Sequence, residues 1–164
     1  MSRLLHLSIS IDLKPSWRRN MEKEIRRLTF DDYDEIMRVW AVSGLPIKSN
    51  GRDSRDMVAA EIAREWCAYF GLFVNDKMVG VTITQFDGRR GWINRLAVDP
   101  DYRGMGLAGD LMAKCDEFLD QFGEVVPCAL IEGENMPSMA CFEKAGYVCE
   151  RSISYWTKRP RPDL

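Results

Sequence analysis

The most restrictive stretch of this chain runs from Trp92 to Phe122. Trp92–Val98 reads as a strand, Asp99-Pro100 ends it, and a loop holding Gly104 and Gly106 passes straight into a helix. From Gly106 to Phe122, residues Leu107, Leu111, Cys115, Phe118 and Phe122 recur at steps of three and four, a single apolar stripe. A strand that turns so quickly into an amphipathic helix has to lay that helix back on its own sheet. The preceding segments define the sheet. Phe70–Val74, the turn Asn75-Asp76-Lys77, and Met78–Phe86 with its alternating Val79, Val81 and Ile83 against Thr82 and Thr84 lead through Asp87–Gly91 into Trp92. That pattern predicts an antiparallel meander of three strands.

The flanks extend the sheet. Ile25–Leu28 is a short strand candidate, followed by a helix carrying Tyr33, Ile36, Met37 and Trp40, with Asp31 and Asp32 at its positive end. Gly44 and Pro46 stop it. After the polar loop Lys48–Asp53, Ser54 or Asp53 caps a second helix bearing Met57, Val58, Glu61, Ile62 and Glu65, which Trp66 and Tyr69 close. Beyond the long helix, the apolar run Val125–Ile131 predicts a strand buried on both faces. Asn135 caps a helix through Ala145, ended by Gly146, and Tyr147–Lys158 returns as an alternating extended segment. The order predicts an α/β (α+β) fold: a single mixed, mostly antiparallel twisted sheet with helices on both faces.

The 164 residues fit one domain. Residues 25–158 are expected to form it, after an N-terminal extension (1–24) and before a short flexible tail (159–164). Within the extension, Leu5, Leu7, Ile9, Ile11 and Leu13 alternate with polar residues, the pattern of an extra edge strand. A start of the chain at Met21 is the other reading of that extension. No apolar run nears the roughly 18 residues of a spanning helix. The first residues, broken by His6, Ser8, Ser10 and Asp12 and lacking a small-residue cleavage site, do not read as an export signal. Five cysteines, odd in number and without CxxC spacing, fit reduced thiols in a cytoplasmic protein. The lone histidine, His6, argues against Ser-His-Asp or Cys-His catalysis and against a histidine-based zinc site; no metal is expected. A net charge of −2 argues against a strongly basic nucleic-acid binder.

Chemistry concentrates in Arg95–Ala108, RLAVDPDYRGMGLA. The first turn of a helix presents unpaired N–H groups at a partially positive end. Glycines let an anion reach that backbone, and Arg103 adds a positive charge, so the loop is a candidate phosphate cradle. Gly104, Gly106 and Gly109 satisfy GxGxxG formally, but the strand before them belongs to a meander rather than opening a βαβ unit; a GxxxxGK[ST] match is absent.

Arg103-Gly104-Met105-Gly106-Leu107-Ala108 resembles the Q/R-x-x-G-x-G/A signature of the GNAT superfamily, the acyl-CoA-dependent N-acyltransferases. LAVDP before it looks like that family's bulged fourth strand. Asn135 and then Phe142-Glu143-Lys144-Ala145-Gly146-Tyr147 resemble its second signature, an Asn followed by Y-E-K-x-G-F. The element order agrees from Ile25 to Lys158. The resemblance implies that acetyl-CoA is the cosubstrate. Backbone groups of Leu96, Ala97 and Val98 would bind the pantetheine, and N–H groups of Arg103–Ala108 (Arg103, Gly104, Met105, Gly106, Leu107, Ala108) the pyrophosphate. Asn135 would sit beside the pantetheine or thioester, and a backbone N–H near Ala97–Val98 would serve as the oxyanion donor. The implied chemistry is direct attack of a neutral amine on the thioester in a ternary complex.

The chain departs from the family at Phe142, where a tyrosine usually protonates the leaving thiolate; by the resemblance the phenylalanine would still pack against the pantetheine. Three routes stay open: the thiolate leaves unaided; Cys141, Ser138 or a water donates; or the domain binds acyl-CoA with little turnover. Glu132 and Glu134, after the strand Val125–Ile131, are candidate bases for the amine, beside a water relay. Each also reads as a solvated loop carboxylate. In the region that covers the family's acceptor site, Arg52 and Asp53 are candidate substrate contacts; Asp53 also reads as a helix cap. Trp92 and Tyr155 line the cleft or simply pack the sheet.

The leading function is therefore N-acetyl transfer to a primary amine of a metabolite, an antibiotic, a lysine side chain or a protein N-terminus. The alternative is a non-catalytic acyl-CoA-binding regulatory module. A nucleic-acid role through Arg18, Arg19, Lys23, Arg26 and Arg27 is the weakest reading. A homodimer through residues 5–13 or the C-terminal segment is expected from their strand edges.

Overall fold

The computed structural model describes residues 21–158 and Pro160; the alternating segment 5–13 lies outside the described residues. Nine main elements follow in order: β1 (Lys23–Arg27), α1 (Tyr33–Val42), α2 (Arg55–Ile62), β2 (Cys67–Val74), β3 (Lys77–Phe86), β4 (Arg90–Val98), α3 (Leu107–Leu119), β5 (Val126–Cys128) and α4 (Met136–Lys144). The five strands form one sheet in the order β1-β2-β3-β4-β5. The first four pair antiparallel and β4 pairs β5 parallel, which is the mixed sheet expected.

Two cores lie on opposite faces. On one, Ile36, Val39 and Trp40 of α1 and Val58 of α2 meet Tyr69, Met78, Val81, Ile83 and Ala97 of the sheet. On the other, Leu107, Leu111, Met112 and Cys115 of α3 and Phe142 of α4 meet Phe70, Leu72, Val79, Ile93 and Val98. The predicted stripe of α3 holds as far as Leu119, after which the chain tightens into a short 3-10 turn, Asp120–Phe122. At that turn Phe122 still stacks on Phe86 of β3, with ring centroids 4.6 Å apart.

Three expectations need correction. β2 begins at Cys67, so Tyr69 belongs to the strand rather than closing α2, and Trp66 is half exposed. Nearly every residue of β2 is buried, which removes the alternation that would have marked its start. Second, Val125–Ile131 is no long strand buried on both faces. β5 keeps three residues, and Val126 and Leu130 are exposed. Pro127 sits in its middle without an N–H to donate, so the ladder does not propagate. Third, Tyr147–Lys158 forms no strand; Ile153, Tyr155 and Trp156 are exposed, and β5 has no second neighbour among the described residues.

β1 is tied to α1 through Arg26, whose guanidinium donates to both Asp32 oxygens at 2.9 and 2.7 Å. Asp32 also accepts the Thr29 N–H in a capping box at the head of this helical region. The Arg26 hydrogen bonds first, then the Thr29 backbone bond, hold the Asp32 carboxyl below its ordinary value against the opposing effect of burial. A carboxylate lowered in the folded state stabilises above its unfolded pKa, and that stabilisation is lost as pH falls through the folded one. Because Arg26 is substantially exposed, Asp32→Asn is expected to cost about 1 kcal/mol near neutrality. Denaturant melts across pH check this: the gap between wild type and variant should close as the pH falls below the range where Asp32 ionises.

Candidate active site

β4 is the strand that creates the site. Its pairing with β3 runs Gly80↔Val98 and Val81↔Ala97, then slips to Ile83↔Asn94. One extra residue is thereby inserted in β4, a bulge centred on Arg95, whose φ is 54°. A left-handed arginine costs of order 1–3 kcal/mol, so the surroundings must hold it there. The bulge has two effects on side chains. Asn94 and Arg95 both face the α1/α2 side, and the strand beyond is re-phased, so that Leu96 and Val98 face α3 while Ala97 faces α1. Thr82, opposite the bulge, donates to the Asn94 carbonyl at 3.3 Å.

On its other edge β4 pairs with β5 only at Arg90, Gly91 and Trp92. From Ile93 onward the two strands part, and the edge of β4 facing β5 has no strand partner among the described residues. This edge includes Leu96, Ala97 and Val98, the segment expected to receive the pantetheine.

The loop after β4 is built to keep a helix end open. Asp99 starts the short turn Pro100–Tyr102 by accepting the Asp101 N–H. Gly104 and Gly106 then adopt φ of 73° and 79°, which non-glycine residues disfavour, and a Cβ on either would meet nothing within 4 Å among the described residues. Gly106 is the N-cap of α3, and no side chain caps it. Asp110 N–H is bonded to Gly106 carbonyl, so the N–H groups of Leu107, Ala108 and Gly109 lead into that open space. An anionic diphosphate fits such a cradle: unpaired donors, a favourable dipole and no Cβ in the way. Arg103 donates to the Val98 carbonyl and to the Ser43 carbonyl at the end of α1, each at 3.1 Å. It staples the loop to β4 and α1.

On the α1/α2 face lies a cleft of about 330 Å³. It is walled by Arg52, Asp53, Glu61 and Arg64 from the α1–α2 loop, α2 and the turn that follows α2, and by Tyr69, Gln85, Asn94 and Arg95 from the sheet. Asp53 is 3% exposed and organises the loop: its carboxylate accepts the Lys48 N–H at 2.7 Å, and its carbonyl accepts the buried Tyr33 hydroxyl at 2.7 Å. Arg95 lies 3.6 Å from the same carboxylate, donates to the Pro46 carbonyl at 3.0 Å, and stacks 3.9 Å from the Trp40 ring. Burial pulls the Arg95 guanidinium below its ordinary value, with the Asp53 charge opposing. Its Nε and Nη2 atoms are buried without a hydrogen-bond acceptor. Glu61 accepts from the Tyr69 hydroxyl on one oxygen and from Gln85 on the other. Burial, then the Glu61 hydrogen bond, push the Tyr69 phenol far upward, so it remains a donor.

The structure thus brings Arg52 and Asp53 to a cleft, though Ser54 rather than Asp53 caps α2. Glu132 and Glu134 stand on an exposed turn beyond the end of β5, outside the lining of the cleft, because the strand that would have carried them stops at Cys128. Asn135 is the N-cap of α4, its side-chain oxygen accepting the Ser138 N–H at 3.1 Å, which leaves its amide hydrogens to donate elsewhere. Phe142 is 5% exposed and packs edge-on against Tyr147, centroids 5.0 Å apart. Trp92 donates its indole N–H to Asp87, and Tyr155 is exposed. Sequence reasoning missed Glu61, Tyr69, Gln85 and Arg95 as site residues. The step from Glu61 back to Val58 and the period-two spacing of Ile83 and Gln85 place them on inward faces; the bulge that redirects Arg95 has no local signature.

A sheet that splits beside a bulged strand, with a glycine cradle at the next helix and a separate polar cleft across the bulge, defines an acyl-CoA-dependent transferase. The chain belongs to the acetyltransferase (GNAT) family, whose model matches residues 24–147. It is 27% identical over 136 residues to an acetyltransferase of Sodalis glossinidius, covering 83% of this chain and 94% of the relative. Its fold is similar to that of the PaiA N-acetyltransferase of Thermoplasma acidophilum, solved with coenzyme A (TM-score 0.69, 18% identity, 79% of this chain and 92% of that one). It is also similar to an aminoglycoside antibiotic 6'-N-acetyltransferase of Acinetobacter baumannii (TM-score 0.71, 12% identity, 84% and 99%).

Proposed function

We propose that this protein transfers the acetyl group of acetyl-CoA to the primary amine of a small acceptor, with the donor lying in the split between β4 and β5 and the acceptor entering from the cleft on the other side of the bulge. The observation that carries this is the free edge of β4 running directly into the uncapped, glycine-flanked start of α3. Leu96–Val98 would bind the pantetheine amides as a further strand would, and Leu107–Gly109 the pyrophosphate. The amine nitrogen attacks the thioester carbonyl, the oxyanion is held by a backbone N–H near Ala97–Val98, and the C–S bond breaks. The amine's proton passes to water in the open cleft, and the thiolate takes a proton from water.

Phe142 supports no separate, non-catalytic reading. Its ring fills the core between α3 and α4, which accounts for a phenylalanine there without reference to turnover. A thiolate leaves without an acid far more readily than an alkoxide, since a thiol's pKa is about 8.5. Burial pushes the Cys141 thiol on the same helix upward, keeping it protonated.

Hydrogen exchange tests the placement. Adding acetyl-CoA is expected to slow amide exchange in residues 96–98 and 107–109 together; slowing confined to other segments would overturn it. The working compartment we infer is the cytoplasm, supported by five free cysteines; no helix among the described residues is long and apolar enough to cross a membrane. We also infer a homodimer through the C-terminal segment, on which Ile153, Tyr155 and Trp156 are exposed. Sedimentation equilibrium should show two copies for the wild type and a weakened association for Tyr155→Ser/Trp156→Ser; a monomer at all concentrations would refute this.

A further inference from the structure

The charges around the cleft restrict the acceptor. A site for a polyamine or a polycationic sugar needs a surplus of carboxylates, and this cleft has three arginines against two. Asp53 is already engaged: Arg95 stands 3.6 Å from it, Arg52 3.7 Å, and the Lys48 N–H bonds it directly. Its charge therefore serves the loop and the bulge rather than a ligand. Two groups of opposite sign remain available. Glu61 is fixed by Tyr69 and Gln85, one donor to each oxygen, which leaves lone pairs on both oxygens for a third partner. Arg52 and Arg64 are its cationic counterparts. Arg52 is mostly exposed and, among the described residues, pairs with the shared Asp53 carboxylate alone; Arg64 makes no ion pair to any described residue, lying instead 6.0 Å from the Trp66 ring. The volume, about 330 Å³, is at the low end of roughly 300–1,000 Å³ for ligand clefts, the size for a compact molecule rather than an oligosaccharide.

Resting on the transfer reading above, we propose that the acceptor is a small amine that also carries a carboxylate. Glu61 receives the protonated nitrogen before it loses its proton, and Arg52 and Arg64 hold the carboxylate. Tyr69 and Gln85 are positioning residues for Glu61. The guanidinium fork suits a carboxylate, and fixing both ends of a short molecule orients the nitrogen towards the bulge, where Asn94 and Arg95 line the same cleft.

The experiment compares acceptors that differ only in charge: a set of amino acids of increasing chain length, their carboxamides, spermidine and kanamycin, each followed by thiol release from acetyl-CoA. At least one amino acid is expected to exceed its own carboxamide by about tenfold or more in kcat/KM, mainly through KM, and to exceed both polycations. In Arg52→Ala/Arg64→Ala the acid-to-amide ratio should fall towards one, and in Arg52→Glu/Arg64→Glu the preference should swing towards spermidine. Preference of the wild type for spermidine or kanamycin, or an undiminished ratio in the double alanine variant, would overturn the proposal. If no amine releases thiol, the transfer reading itself fails. Calorimetric titration with the amino acids then decides the cleft alone: binding that the double variant loses supports it, and no binding by any of them ends it.

Discussion

Gly106→Trp is expected to lower the affinity for acetyl-CoA by about 100-fold or more while leaving a folded protein. The residue sits at φ 79° as N-cap of α3, with open space above it. A side chain there occupies the volume that the diphosphate needs and covers the N–H groups that would bind it; loss of roughly 3 kcal/mol of binding corresponds to that factor. The folding cost should be small by comparison. Among the described residues, nothing beyond its own chain neighbours lies within 4 Å of the added Cβ, so what remains is left-handed backbone strain of about 1 kcal/mol. Gly88 supplies the control, because it has φ of 91° and equally open surroundings but lies in the β3–β4 turn away from the cradle. Gly88→Ala should therefore show a similar small loss of stability and unchanged titration with acetyl-CoA. Equal binding by wild type and Gly106→Trp in calorimetry would remove the cradle from the account.

Asp53→Ala should be the most destabilising single change in the cleft, at about 3 kcal/mol and roughly 10 °C in Tm. The carboxylate is buried, and removing it leaves the Arg95 guanidinium without its counter-charge while two of its nitrogens already lack acceptors. The Lys48 N–H loses its acceptor as well. The strained backbone at Arg95 is held by this pair together with the stack on Trp40 and the bond to the Pro46 carbonyl, so the bulge loosens with it. Asp53→Asn keeps an acceptor for Lys48 but no charge, and is expected to recover only part of the loss. Urea unfolding checks the order wild type, Asn, Ala at constant slope. An alanine variant within about 0.5 kcal/mol of wild type would mean that Arg95 is satisfied by its other partners, and that the loop is not anchored through Asp53.

The parts of the fold legible in the sequence were those governed by local chemistry. The apolar stripe of α3, the Asn75-Asp76 turn with both residues at positive φ, and the Asn135 cap with Gly146 at the other end of α4 each follow from residues close in the chain. The C-terminal third was misread because an apolar run specifies burial only if something packs on it. Val125–Ile131 looks like a central strand, but Pro127 interrupts its donors and the segment 147–158 does not pair beside it. The cradle was legible because glycines at a helix start report a backbone requirement. The cleft was not, since Glu61, Tyr69, Gln85 and Arg95 come from four separate elements. One of them is aimed by a bulge that depends on how β4 registers with β3. Arg103 shows the same limit: its type suggests a phosphate partner, whereas its hydrogen bonds go to two carbonyls.

The most direct test of acetyl transfer is thiol release from acetyl-CoA by the purified protein, measured with and without an amine acceptor and paired with the mass of the product. Release is expected to need the amine, to match the acetylated product mole for mole, and to disappear in Gly106→Trp. Tight binding of acetyl-CoA with no amine-dependent release across the whole range of acceptors would contradict it and leave a protein that holds the donor without using it.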